Sequence, residues 1–287
     1  MTAERRTSSS TQDHADANAS ANAGTSTSTS TSTSTDANGS KFEAAKARFI
    51  EERGSWSPAW DAVGRLDPDF LDAYRRLSMT PLRKGHLDPK TQELVFLAVD
   101  ANATHMFTAG VEPHLRKALE LGATREELME VLELIATLGI HAMNIGVPIL
   151  VDVLKETGRY EGPAPLGEYQ QRLKDEFTES RGYWHSFWDE MLELDPEMFE
   201  AYLEFSSVPW RTGVLEPKVK ELIYIAFDTA ATHLYEPGLR LHVKNALGHG
   251  ATAQEILEVM EIASTLGIHG TMTAAPILLR VTEEEKA

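Results

Sequence analysis

The sequence predicts an all-α protein built from two tandem copies of one helical domain. Three observations predict it. Apolar residues recur at helical spacing, as at Leu128, Val131, Leu132 and Ile135, and no stretch sustains strand alternation. Helix start and stop signals punctuate the chain. A shift of 128 residues lays one half on the other without a gap from Arg53 to Leu150.

The shift places Arg53-Gly54 on Arg181-Gly182, Trp56 and Trp60 on Trp184 and Trp188, and Leu66-Asp67-Pro68 on Leu194-Asp195-Pro196. Further along it places Ala103-Thr104-His105 on Ala231-Thr232-His233 and Thr137 to His141 on Thr265 to His269. A period this long marks duplicated domains, since solenoid repeats span only about 20–50 residues. Residues 1–40 are a Ser/Thr-rich tail with almost nothing apolar, which predicts disorder. The first helical domain then spans 41–157. Gly162-Pro163 and Pro165 mark a linker over 158–168, and the second domain spans 169–287.

Within the first copy, two or three short helices carry the paired tryptophans. Trp56 and Trp60, at i and i+4, read as packing residues, as do Tyr74 and Tyr202. Asp88 and Pro89 form an N-cap and first position for a helix that holds Glu93 and ends at His105. The next helix covers about Val111 to Leu121 and stops at Gly122. Thr124-Arg125-Glu126-Glu127 is a capping box for a third helix, ended by Gly139. Asn144 to Val153 is a last apolar helix.

Of 287 residues, 42% are hydrophobic and 25% charged, ordinary values for a globular protein. The net charge of −17 argues against nucleic-acid or anionic-membrane partners, which need a clustered basic surface. The absence of cysteine removes disulfides, thiolate metal sites and thiol peroxidase chemistry. No apolar run approaches the ~20 residues of a membrane span, and the N-terminus lacks the apolar core of a secretory signal, so a cytoplasmic protein is expected.

Six of the ten histidines form three repeat-matched pairs: His105 with His233, His114 with His242, and His141 with His269. His14, His86, His185 and His249 have no histidine partner under the shift. The matched histidines lie at or near helix ends, where side chains from different helices can converge. Glu93 sits about 18 Å along the axis from His105, at ~1.5 Å rise per residue, so the two cannot touch. A crossing helix can bring His114 to Glu93, while Asp100, matched by Asp228, is the nearer carboxylate for His105.

The run Leu87-Asp88-Pro89-Lys90-Thr91-Gln92-Glu93-Leu94, then His114, Ala118-Leu119, Gly122-Ala123-Thr124 and Glu127 to Val131, resembles the carboxymuconolactone decarboxylase family. The second copy repeats it from Leu215-Glu216-Pro217-Lys218 through His242 to Glu258-Val259. The resemblance implies the alkylhydroperoxidase D-like helical fold in each copy. It also implies a six-domain ring, which two-domain chains would reach as a homotrimer. The peroxidase branch of that family needs Cys-x-x-Cys, absent here. The decarboxylase branch implies a lyase acting on a small carboxylated lactone or keto acid. Glu93 and His114, with Glu221 and His242, match its glutamate and histidine positions. Two extra residues between them, and the added His105 and His141, depart from the pattern.

Histidine serves proton transfer near neutral pH with least perturbation. The expected roles are therefore proton transfer at His114 and His242, with Glu93 and Glu221. Substrate binding falls to His105, His141, His233 and His269. Two other readings stay open. Each trio of His105, His114 and His141, or of His233, His242 and His269, is a sound ligand set for a divalent metal in a lyase or hydrolase. Alternatively, the chain is a non-enzymatic, ring-forming ligand-binding protein with structural histidines.

Overall fold

The computed structural model describes residues 30–211 and 213–285, so most of the predicted disordered tail, with His14, lies outside the described residues. The described residues are all helical in their regular structure, without a strand. The first copy contains α1 (Ser30–Arg53), α2 (Pro58–Leu66), α3 (Pro68–Lys84), α4 (Pro89–Ala101), α5 (Thr108–Glu120), α6 (Arg125–Ala136) and, after a 3₁₀ turn at Thr137–Ile140, α7 (His141–Glu156). The second contains α8 (Glu168–Arg181), a 3₁₀ turn at Ser186–Trp188, α9 (Asp189–Leu194), α10 (Pro196–Arg211), α11 (Pro217–Thr229), α12 (Glu236–Gly248) and α13 (Ala253–Ser264). A 3₁₀ turn at Thr265–Gly267 then leads into α14 (Ile268–Glu284).

Local chemistry sets the ends. The Asp88 side chain accepts from Thr91 N–H at the start of α4, and the capping boxes Thr124/Glu127 and Thr252/Glu255 start α6 and α13. Two expectations are corrected. Helix α1 begins at Ser30, ten residues inside the expected disordered tail. Its buried Phe42, Ala45 and Phe49 anchor a nucleus, from which each further residue adds a backbone hydrogen bond. Helix α4 stops at Ala101, before His105. Asn102 ends it: its amide donates to Val99 C=O at 2.7 Å, and its Oδ1 accepts from the Thr104 hydroxyl and N–H at 2.6 and 3.1 Å. His105 consequently sits in a turn and not on the helix.

The copies share one central core. Leu94, Leu97 and Val131 pack in the same cluster as Leu222, Ile225 and Val259, with α4 and α11 side by side. The flanking clusters are exchanged. Phe49, Trp60 and Tyr74 of the first copy pack on Ile268 and Ala275 of the second. Phe177, Trp188 and Phe199 of the second pack on Ile140 of the first.

Two helical runs, Arg125–Glu156 and Ala253–Glu284, contain windows apolar enough for a membrane span, contrary to the sequence expectation. Each is interrupted by a 3₁₀ turn and buries Leu134 or Ile262 in the shared core, while Ile149 and Leu150 of α7 and Ile277 and Leu278 of α14 are exposed.

Buried carboxylates join the copies. Glu258 of α13 accepts from His86 N–H at 2.7 Å, Leu87 N–H at 3.4 Å and the Gln92 amide at 2.7 Å. Its counterpart Glu130 of α6 accepts from Val214 and Leu215 N–H at 2.6 and 3.2 Å and pairs with Lys220 at 2.7 Å. Removing one member of a buried ion pair costs about 3–5 kcal/mol. Glu130→Ala is therefore expected to lower unfolding stability by about that much in urea melts. Lys220→Gln, which copies the Gln92 arrangement, should cost far less. An undiminished stability in Glu130→Ala would remove the clasp as a source of stability.

Candidate functional site

The site residues gather at the ends of α4 and α11. Helix α5 crosses α4 so that His114 Nδ1 meets Glu93 Oε2 at 2.7 Å. The same imidazole places Nε2 3.6 Å from Asp100 Oδ2, two turns further along α4. In the second copy His242 Nδ1 meets Glu221 Oε2 at 2.7 Å. A carboxylate accepts only, so Nδ1 carries the proton and Nε2 is the nitrogen left for a substrate. Flat aromatic rings fix each imidazole: Phe96 stacks on His114 at 4.6 Å and Tyr224 on His242 at 4.3 Å.

The third histidines do not stay with their own copy. His269, first turn of α14, reaches across to the first copy, where its Nδ1 lies 2.7 Å from His105 Nε2 and 3.6 Å from Asp100 Oδ1. His141, at the start of α7, crosses to the second copy and lies 2.7 Å from His233 Nε2 and 3.8 Å from Asp228 Oδ1. The expected single-copy trios are thus corrected. One site combines Glu93, Asp100, His105 and His114 with His269, the other Glu221, Asp228, His233 and His242 with His141. The cause is the exchanged packing of α7 and α14.

Burial dominates the electrostatics. Asp100 and Asp228 are 1% and 0% exposed, and neither oxygen of either carboxylate accepts a hydrogen bond. Burial pushes both carboxyls up to about 7, against the opposing pull of His114 and His242. Burial, reinforced by neighbouring imidazoles, pushes His141 and His269 down to about 3. His105 and His233 are lowered by burial as well. Burial thus disfavours the charged form of all four imidazoles.

The residues 68–147 and 196–280 match the model of the carboxymuconolactone decarboxylase family. The chain belongs to the carboxymuconolactone decarboxylase family. A crystal structure from Burkholderia xenovorans, provisionally named a gamma-carboxymuconolactone decarboxylase subunit, is similar to the chain. The two are 53% identical with a TM-score of 0.83, over 85% of this chain and 98% of that one. No functionally curated protein matches the chain.

Beside the two Glu–His pairs lie residues the sequence pattern did not single out for function. Arg53, at the end of α1, lines a groove of about 530 Å³ with Glu93 and His114. Its repeat partner Arg181 lines a cavity of about 40 Å³ with His141 and His242. Arg53 donates to the Ser78 hydroxyl and Arg181 to Ser206 C=O, both at 2.5 Å, and neither has an ion pair among the described residues. The second cavity also holds Tyr183, Tyr224 and Tyr235, where the first copy has Ser55, Phe96 and Phe107. Burial holds the Tyr183 phenol well above its ordinary range. Arg53 and Arg181 were visible as repeat matches, but only tertiary structure shows that they face the histidines.

Gly110 and Gly238, a repeat-matched pair in the first turns of α5 and α12, were missed too. A Cβ at Gly110 would come within 1.8 Å of Asp100 Oδ2, and one at Gly238 within 2.4 Å of Asp228 Oδ2. Glycine to alanine inside a helix ordinarily gains about 0.5–1 kcal/mol. Gly146→Ala in α7, with open space around its Cβ, should show that gain in thermal unfolding. Gly238→Ala should instead lose about 1–3 kcal/mol, as overpacked sites do. A stabilised Gly238→Ala would remove the glycine as the residue that makes room for Asp228.

Proposed function

We propose that the chain is a lyase of the carboxymuconolactone decarboxylase type, acting on a small carboxylated lactone or keto acid by histidine acid–base chemistry. The observation that supports this best is the Glu–His pair at 2.7 Å in both copies, within the residues that match the family model. The name of the Burkholderia protein points the same way.

In this reading the bond from carbon to carboxylate breaks and CO₂ leaves. The electron pair passes into a conjugated carbonyl, and a proton then reaches the carbon. His114 or His242 delivers that proton from Nε2 and recovers one from solvent, while Glu93 or Glu221 stabilises the imidazolium through Nδ1–H. The carboxylate-binding role expected of His105, His141, His233 and His269 passes to Arg53 and Arg181. Neutral imidazoles attract an anion weakly, whereas a guanidinium without an ion pair offers a fixed fork to a carboxylate.

The two sites are unequal. The groove beside His114, at about 530 Å³, has the size of a small-molecule site. The 40 Å³ beside His242 holds a water or two and must open before a lactone enters. CO₂ release from a panel of carboxylated lactones and keto acids tests the reading. The double variant His114→Gln/His242→Gln should lose at least about a hundredfold in turnover, the usual lower range for a general acid–base group. His114→Gln alone should remove most of it. Arg53→Met should raise KM more than it lowers kcat. Undiminished turnover in the double variant would overturn the assignment of the histidines.

The ring implied by the family is also part of this reading. Exposed apolar residues come in repeat-matched pairs, among them Ile149 with Ile277, Leu150 with Leu278, Val153 with Val281 and Met129 with Leu257. Two equivalent faces on one chain suit a closed trimer of two-domain chains. Light scattering should find three chains per particle, and a monomer at working concentration would remove the ring from the proposal.

A further inference from the structure

We propose that Asp228, His233 and His141 bind a divalent transition-metal ion, and that Asp100, His105 and His269 form a twin of that site. The inference goes beyond the acid–base reading and does not depend on it.

Geometry comes first. His141 Nδ1, His233 Nε2 and Asp228 Oδ1 are separated by 2.7, 3.8 and 3.9 Å. The point equidistant from three atoms so placed lies about 2.1 Å from each. Zinc and similar ions bind imidazole nitrogen and carboxylate oxygen at about 2.0–2.2 Å. The twin has its donor atoms within 4.8 Å of one another, with the same 2.7 Å approach between imidazoles. Three donors leave coordination positions open for water or substrate.

The donor chemistry agrees. Two imidazoles and a carboxylate suit borderline divalent ions such as zinc or ferrous iron. The imidazole nitrogens converge on one another beside a carboxylate whose oxygens accept no hydrogen bond. A simple imidazole–imidazole hydrogen bond would leave four buried acceptor oxygens without donors across the two sites, each at a real desolvation cost. A bound cation partners the carboxylate and the imidazoles together.

The surroundings keep the donors aimed. Tyr235 stacks on His141 at 3.7 Å and Phe107 on His269 at 3.8 Å. The residues after His105 and His233, Met106 and Leu234, have φ of 51° and 50°. Such left-handed backbone in non-glycine residues is strained and persists where the surroundings demand it. It recurs at repeat-matched positions, each time next to a donor histidine. Gly110 and Gly238 leave the space that each carboxylate occupies.

The test uses the full chain, made without a histidine tag, stripped with chelator and checked for helicity. Titration with Co²⁺, read by its visible ligand-field bands, and with Zn²⁺, read by calorimetry, is expected to saturate at two ions per chain. His141→Ala should remove one of them, although the residue belongs to the first copy and the lost ion to the second. His141→Ala/His269→Ala should remove both, and Asp228→Asn should weaken one site at least tenfold with the fold unaltered. His114→Gln should retain both ions, which separates this result from the acid–base assignment. A folded, stripped chain that takes up no ion overturns the proposal. So does a His141→Ala/His269→Ala chain that keeps both.

Discussion

The arrangement depends on two buried carboxylates that cross between the copies. Glu130 and Glu258 each accept backbone N–H groups from the loop that precedes the partner copy's central helix. Those loops lead directly into α4 and α11, so the carboxylates set where both helices begin. A buried carboxylate is costly unless its oxygens find partners, and these two find theirs across the copies. The geometry of one copy is therefore fixed by donors from the other. The second position of each clasp has diverged, Gln92 in one copy and Lys220 in the other, yet the backbone contacts are the same.

Exchange of the last helices follows from this fused centre. With α4 and α11 in contact, α14 lies nearest the first copy's tryptophan-bearing helices, and α7 nearest those of the second. The apolar clusters around Trp60 and Trp188 are completed by residues of the partner copy. The histidines that head α7 and α14 are carried across with them. Each site then needs five polar residues from two copies, and neither copy alone could assemble one.

Features written in local chemistry were legible in the sequence. The Asp88 cap, the two capping boxes and the 3.6-residue period follow from interactions within four residues, and the structure has each of them. The pairing of Glu93 with His114 was also within reach, because adjacent helices in sequence pack together and the spacing allowed the crossing. The grouping of histidines was not. His105 and His269 are 164 residues apart, and the repeat pattern is equally consistent with same-copy and exchanged arrangements. Gly110 and Gly238 were hidden for a related reason. A glycine's demand for space depends on what approaches its Cα, and here it is a carboxylate from another helix.

Duplication also frees the two sites to differ. The histidines, acidic residues and glycines match across the repeat, while the walls do not: Phe96, Phe107 and Ser55 are replaced by Tyr224, Tyr235 and Tyr183. Arg53 and Arg181 lie in α1 and α8, outside the residues that match the family model. The residues that match the family model thus hold the Glu–His pairs, and the helices outside them supply the two arginines. An apolar wall beside an open groove favours a substrate with a flat carbon skeleton, whereas buried phenols favour one that can pair with hydroxyl donors. A change of wall chemistry around an unchanged set of polar residues alters the shape and polarity of the space between them while leaving those residues in place. In this chain Phe96 and Tyr224 lie on α4 and α11 beside the matched carboxylates, so the two sites differ residue by residue along the same helices and not helix by helix.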